Sequence, residues 1–140
     1  AGGRARRVRA RLVRLLLDTH ALLWWLTDDD RLSEAARVAI SQESNPVFVN
    51  AASAWEIATK ARIGKLSGVP GLVERFAELV ASEGFTPLPI AQSHALRAGG
   101  YALAHRDPFD RMLAAQSEVE ALVLVTRDPV FADFGSVTLW

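Results

Sequence analysis

A chain of 140 residues, half of them hydrophobic, carries enough apolar side chains for one compact core that buries roughly 70% of the surface exposed by its unfolded form. It has no cysteine, which excludes disulfide staples, thiolate metal sites and a cysteine nucleophile and fits a reducing, cytoplasmic setting. No apolar run reaches the ~20 residues needed to cross a bilayer, so no membrane association is expected, and the basic start lacks the apolar stretch of a secretory signal.

The net charge of zero hides two unlike parts. Residues 1–14 hold six arginines and no acid, so the rest of the chain sets ten bases against sixteen acids. An acidic folded part is an odd nucleic-acid binder unless its negative charge is gathered at a cation site. Residues 1–12 contain glycine, alanine and arginine with almost nothing to bury, and read as a flexible leader. That leader is either an RNA-grasping arm or, the reading we favour, an upstream extension or cloning remnant; the domain itself is expected over 13–140.

Leu15, Leu16 and Leu17 form a buried strand, followed at once by Asp18 and the apolar run 21–26, a short helix. A carboxylate where a strand stops projects from the carboxyl edge of a sheet, where open α/β folds place their ligand crevices. Asp18 also suits the N-cap of the helix, and the stretch alone supports both roles. The acids Asp28, Asp29 and Asp30 cannot all face one point on a regular element and read as a solvated turn before a helix over 33–42. Asn45-Pro46 breaks the chain, and 47–49 is a second strand.

Ser53 is a suitable N-cap with Glu56 in the capping-box position, a complete structural account of Glu56. The functional account is that a second strand-to-helix junction delivers a carboxylate to the same edge. Trp55 is expected in the core, and Lys60 can pair with Glu56 across one helical turn. The three-and-four spacing of Leu72, Val73, Phe76, Leu79 and Val80 predicts a helix over 69–82, stopped by Gly84. Residues 85–89 make at best a short edge strand, and 91–104 a helix interrupted near Gly99-Gly100. His94 and His105 are too isolated for a histidine metal site and read as surface or interface residues.

Asp107 followed by Pro108 reads as N-cap and first helical position, which leaves Asp110 in the first turn, aimed at the cleft. If that helix starts later, Asp107 takes the place of Asp110. Residues 121–125 are apolar throughout, as a central parallel strand should be, and Thr126, Arg127 and Asp128 follow at once. Asp128 before Pro129 is again a suitable cap, Phe131 packs beneath it, and 137–140 is the last strand. The pattern β-α-α-β-α-α-β-α-α-β-β predicts an α/β domain with a mainly parallel central sheet flanked by helices, three layers in all.

Right-handed crossovers bring Asp18, Glu56, Asp110 and Asp128 to one edge of that sheet. Two like charges 4 Å apart repel by about 4 kcal/mol at an effective dielectric near 20, so such a cluster calls for protonation or a cation. Oxygen donors without histidine or cysteine suit Mg²⁺ or Mn²⁺, and metal-assisted hydrolysis of a phosphodiester is the matching chemistry.

The segments Leu-Leu-Asp-Thr-His-Ala-Leu-Leu-Trp-Trp at 16–25, Ser-Ala-Trp-Glu-Ile at 53–57, Asp-Pro-Phe-Asp-Arg-Met-Leu-Ala-Ala-Gln at 107–116 and Thr-Arg-Asp at 126–128 resemble the PIN-domain family. Within it they are similar to the VapC-like toxin ribonucleases of toxin–antitoxin pairs. The resemblance spans 13–140 and implies a Mg²⁺- or Mn²⁺-dependent endoribonuclease with Asp18, Glu56, Asp110 and Asp128 as its acidic quartet. It implies Asp18 and Asp110 as metal ligands, Asp128 as a direct or water-mediated one, and Glu56 as the group that orients or deprotonates water. Thr19 and Thr126 are implied to support these carboxylates, and a VapB-like antitoxin to cover the cleft over its RNA site. A homodimer is expected from four tryptophans and the apolar run 22–25.

Two other functions compete. An acid-pocket phosphohydrolase also gathers carboxylates at a sheet edge, but it needs a lysine late in the chain, and the only lysines are Lys60 and Lys65. A non-catalytic PIN-like RNA-binding or regulatory module would be signalled by loss of an acid, and none is lost.

Overall fold

The computed structural model describes residues 12–66 and 68–140; the arginine-rich segment, Leu12 apart, lies outside the described residues. Strands β1 (Leu15–Leu17), β2 (Val47–Asn50), β3 (Thr86–Leu88), β4 (Val123–Val125) and β5 (Thr138–Leu139) form one sheet in the order β3-β2-β1-β4-β5, every pair parallel. Helices α1 (Thr19–Leu26), α2 (Glu34–Ser41), α3 (Ala51–Arg62), α4 (Phe76–Ser82), α5 (Gln92–Gly100) and α6 (Pro108–Val119) lie between them, and a 3₁₀ turn (Pro129–Ala132) joins β4 to β5.

β1 is apolar at every position because it is covered on both faces. Leu15 and Leu17 pack with Leu22, Trp24, Ala36, Ile40, Ile57 and Val80 on one side. Leu16 packs on the other with Ala98, Leu113, Ala114, Ala115 and Phe131. All three leucines are fully buried, each burial contributing about 1.5–3 kcal/mol. In register, Leu17 sits between Val49 and Val125, so the residues after β1, β2 and β4 emerge at one edge. The chain leaves β1 toward β2 and leaves β4 the opposite way toward β5, which makes the β1/β4 gap the topological switch point where such sheets open a crevice.

Ser33 caps α2 as expected, its Oγ accepting from the Ala36 N–H at 3.1 Å. The acid run is a solvated turn with local partners, Asp29 on Arg31 and Asp28 on Arg37. Gly84 closes α4 with φ 75°, a left-handed conformation that favours glycine.

Several expectations need correction. α3 begins before Ser53: Asn50 is its cap, accepting from the Ala52 N–H at 2.6 Å, and Ser53 is buried inside the helix. Glu56 is therefore not in a capping box. The 69–82 segment is helical only from Phe76, after turns that include Gly71 at φ 72°. α5 ends at the Gly99-Gly100 pair rather than running on to 104. β4 starts at Val123, since Ala121 turns with φ 54°. Trp55 is 60% exposed and stands edge-on to Phe109 rather than in the core.

Candidate active site

Asp18 is the hinge between β1 and α1. Its Oδ1 caps α1 by accepting from the Ala21 N–H at 2.7 Å, and its own N–H donates to the Val125 carbonyl at 3.1 Å. That second bond fixes the residue at the switch point, so the cap and cleft roles coexist. Only 7% of Asp18 is exposed. Burial pushes its carboxyl above the ordinary range; the Thr126 hydroxyl, the Ala21 N–H and His20 oppose the rise, and the charge of Glu56 adds to it.

The start of α6 supplies the second acid. Asp107 is exposed and spends its side chain as the N-cap, accepting from the Phe109 N–H at 2.9 Å, with Pro108 at the first helical position. Asp110, one turn on, is half-buried, and its Oδ2 lies 2.8 Å from His105 Nε2. Burial raises its pKa, His105 opposes the rise, and the charges of Asp107 and Asp128 add to it. Of the two acids, Asp110 is thus the one held inside, while Asp107 serves the backbone.

Asp128 is exposed and caps the 3₁₀ turn, accepting from the Val130 N–H at 3.0 Å, and its own N–H donates to Thr126 Oγ1 at 3.1 Å. Glu56 faces Lys60 at 3.7 Å, the pairing expected from their spacing. Thr126 thus stands between Asp18 and Asp128. Thr19 differs from expectation: its hydroxyl donates to Ser53 Oγ at 3.1 Å rather than to an acid, tying the start of α1 to α3. The Trp55 and Phe109 rings, 4.7 Å apart, tie α3 to the first turn of α6. The charge of Glu56 reaches Asp18 and that of Asp128 reaches Asp110, while Thr126 links Asp18 to Asp128.

Sequence reasoning passed over three residues. His105 is not a free surface histidine but the partner of Asp110, and only the fold of the loop before α6 makes it so. Arg111 shapes that loop: its guanidinium donates to the carbonyls of Ala98, Tyr101, Leu103 and His105 at 2.8, 2.7, 3.1 and 2.8 Å. Asn50 is fully buried at the carboxyl end of β2, and its Nδ2 has no hydrogen-bond partner among the described residues. His94 is 3% exposed and accepts at Nδ1 from the Ala91 N–H, a core residue rather than a surface one.

Among the described residues no three histidine, aspartate or glutamate side chains gather closely enough to hold one ion, so Asp18, Asp110 and Asp128 do not stand as a ready three-carboxylate cage. The donors nevertheless fit a hard cation that takes one or two carboxylates and fills its shell with water and phosphate. Both buried acids are disfavoured as anions in the bare protein, and a cation would relieve that.

Known proteins agree with this architecture. The PIN domain family model matches residues 15–136. Ribonuclease VapC22 of Mycobacterium tuberculosis is 33% identical over 117 residues, 81% of this chain and 86% of its own. A toxin–antitoxin complex from Klebsiella pneumoniae contains a chain with TM-score 0.59 and 18% identity, over 90% of this chain and 96% of that one. A chain of VapBC2 from Rickettsia felis, bound to a DNA fragment from its promoter, also aligns with TM-score 0.59, at 11% identity over 91% and 98%. These last two show the fold, and no helix among the described residues is long and apolar enough to cross a membrane. With the family model covering four of the five strands and every acid of the site, this chain belongs to the PIN-domain family and is homologous to a VapC ribonuclease.

Proposed function

We propose that this protein is a metal-dependent endoribonuclease, the toxin of a toxin–antitoxin pair, which hydrolyses RNA phosphodiester bonds with Mg²⁺ or Mn²⁺. The observation that carries the reading is Asp18: a buried carboxylate, raised in pKa, at the switch point of a parallel sheet in a chain homologous to a named ribonuclease. Asp18 and Asp110 would hold the cation, with Asp128 binding it directly or through water. When bound, the cation would activate water and neutralise charge developing on the phosphate.

The chain's own residues do the rest. The Ala21 N–H and Thr126 hold the Asp18 carboxylate in place, and His105 does the same for Asp110. Glu56 would orient or deprotonate the attacking water, with Lys60 facing its carboxylate at 3.7 Å. Thr19, bonded to Ser53, fixes the distance between the Asp18 junction and the helix that carries Glu56.

A VapB-like antitoxin covering the cleft belongs to the same reading, supported by the toxin–antitoxin complexes that share the fold. Self-association is part of it as well, but its first motive has weakened: Leu22 and Trp24 are buried and Leu23 and Trp25 pack against the core, which leaves exposed Trp55 as the aromatic free for a partner. Light scattering at high micromolar concentration decides the dimer.

The test of the function is cleavage of single-stranded RNA by wild type and Asp18→Asn with Mg²⁺, with Mn²⁺ and with excess chelator, beside a small phosphomonoester. Asparagine keeps the cap but not the charge, so activity should fall at least about a hundredfold, the equivalent of about 2.7 kcal/mol of charge stabilisation. Full cleavage by the variant, or by wild type in chelator, overturns the mechanism. Hydrolysis of the monoester alone would make the protein a phosphohydrolase, and RNA binding without cleavage a regulatory module.

A further inference from the structure

Beside the acidic edge lies a cleft of about 380 Å³ formed by α1, the turn after it, the end of α3 and residues Lys65, Leu66, Gly68 and Val69. Its lining includes His20, Trp24, Arg31, Lys60 and Lys65, together with Asp29. Both lysines of the whole chain thus line one cavity. In a domain whose folded part is acidic, that concentration of bases is not a solvated face with mixed charges. Asp29 neutralises Arg31 at 2.7 Å and Glu56 faces Lys60 at 3.7 Å, while Lys65 has no ion-pair partner among the described residues. The cleft therefore presents a net positive charge.

Its aromatic wall is pre-ordered. Trp24 is 6% exposed, with the Trp140 ring edge-on at 5.8 Å and the Arg31 and Arg127 guanidinium groups over it at 5.1 and 4.6 Å. His20 stacks on this fixed indole at 5.3 Å with the planes 19° apart, and is itself exposed. One face of the imidazole is thereby backed by the protein, and the residue lines the cavity. Its place in the chain, two residues after Asp18, puts the cavity next to the candidate cation site.

We propose that this cleft is a subsite for one unpaired nucleotide of the RNA adjoining the scissile phosphate, its base stacked on His20 and its phosphate held by Lys65 with Lys60 and Arg31. The inference deepens the ribonuclease reading and rests on it. A flat aromatic wall and an unneutralised ammonium are the two groups by which single strands are held without sequence readout. The cavity's size suits one nucleotide rather than a duplex.

The test measures binding of a short fluorescent single-stranded RNA to the full chain carrying Asp18→Asn, which keeps the RNA intact, as salt is varied. Adding Lys65→Ala should weaken binding and reduce the salt slope by about 0.7, the contribution of one phosphate contact on a single strand. Adding His20→Ala should weaken binding about tenfold with the slope unchanged. Arg97→Ala, an exposed change of equal charge on α5 at the opposite face of the sheet, is the control and should alter neither as much.

Equal losses from Lys65→Ala and Arg97→Ala, equal affinity for duplex and single strand, or no effect of His20→Ala would overturn the subsite. In each of those cases cleavage by wild type would still stand. Failure of the ribonuclease reading looks different: full cleavage after Asp18→Asn, or no RNA binding by either protein.

Discussion

Asp18 shows how one side chain serves fold and chemistry with different atoms. One oxygen caps α1, and burial of the carboxylate at the sheet edge raises its pKa. For an acid the sign of the consequence is fixed. Between its unfolded pKa, about 3.9, and its higher folded value, the native state binds more protons, so stability falls as pH rises through that window. Asp18 and Asp110 thus penalise the metal-free fold at neutral pH and cease to do so near pH 4. Asp18→Asn should melt at or above the wild-type temperature at pH 7 in chelator, and the difference should shrink toward pH 4. A variant that melts well below wild type at pH 7 would show that the charge, and not only the cap, holds the junction.

Two elements owe their placement to side chains whose importance is invisible in composition. α3 starts at Asn50 because its Oδ1 satisfies the Ala52 N–H at 2.6 Å while the residue still ends β2. Ser53 reads equally well as a cap, and nothing local distinguishes the two. Asn50→Ala should cost roughly 1–2 kcal/mol in chemical denaturation, the usual loss of a cap, whereas Ser53→Ala should cost less because it removes only the bond to Thr19. Arg111 has the larger role. Removing its guanidinium strips four carbonyls of 98–105 of their donor, and Arg111→Ala should lower stability by roughly 2–4 kcal/mol. Because His105 sits on that loop, the same variant should lose cleavage activity beyond its loss of folded protein, measured at a temperature where both are native.

At the scale of the molecule, the parallel sheet gathers the chemistry, and the family match leaves out the basic segment. The family match opens at residue 15, where β1 begins, and Val13 and Arg14 already bond to the domain, through Asn45 Oδ1 at 2.9 Å and the Glu120 carbonyl at 2.8 Å. Deleting residues 1–12 should therefore leave the melting temperature within a few degrees and the rate at saturating RNA unchanged. It removes five arginines, so the apparent affinity and its salt dependence should fall. A truncated protein with a lower saturated rate would bring the segment into the mechanism.

Residues 15–17 and 121–125 are apolar without alternation, a pattern that suits a strand buried on both faces, and each run is followed by an acid within three residues. From these the sequence by itself determined the parallel α/β architecture and the edge at which the strand-end acids stand, whereas the choice between Asp107 and Asp110 stayed open until the structure showed Asp107 spent as a cap. It also carried the family, because the acid-bearing segments recur in order along the chain. Tertiary structure alone decided what stands beside each acid. The pairing of His105 with Asp110, the carbonyl grip of Arg111, the meeting of Thr19 with Ser53 and the collection of both lysines beside His20 all join segments through packing. It also decided that Trp55 faces outward and that, among the described residues, no three acids or histidines gather as a ready cage. The physical reason is one of range: periodicity and capping act over a few residues and are written in the chain. Contacts between loops depend on how whole elements pack, and no local stretch of sequence encodes that.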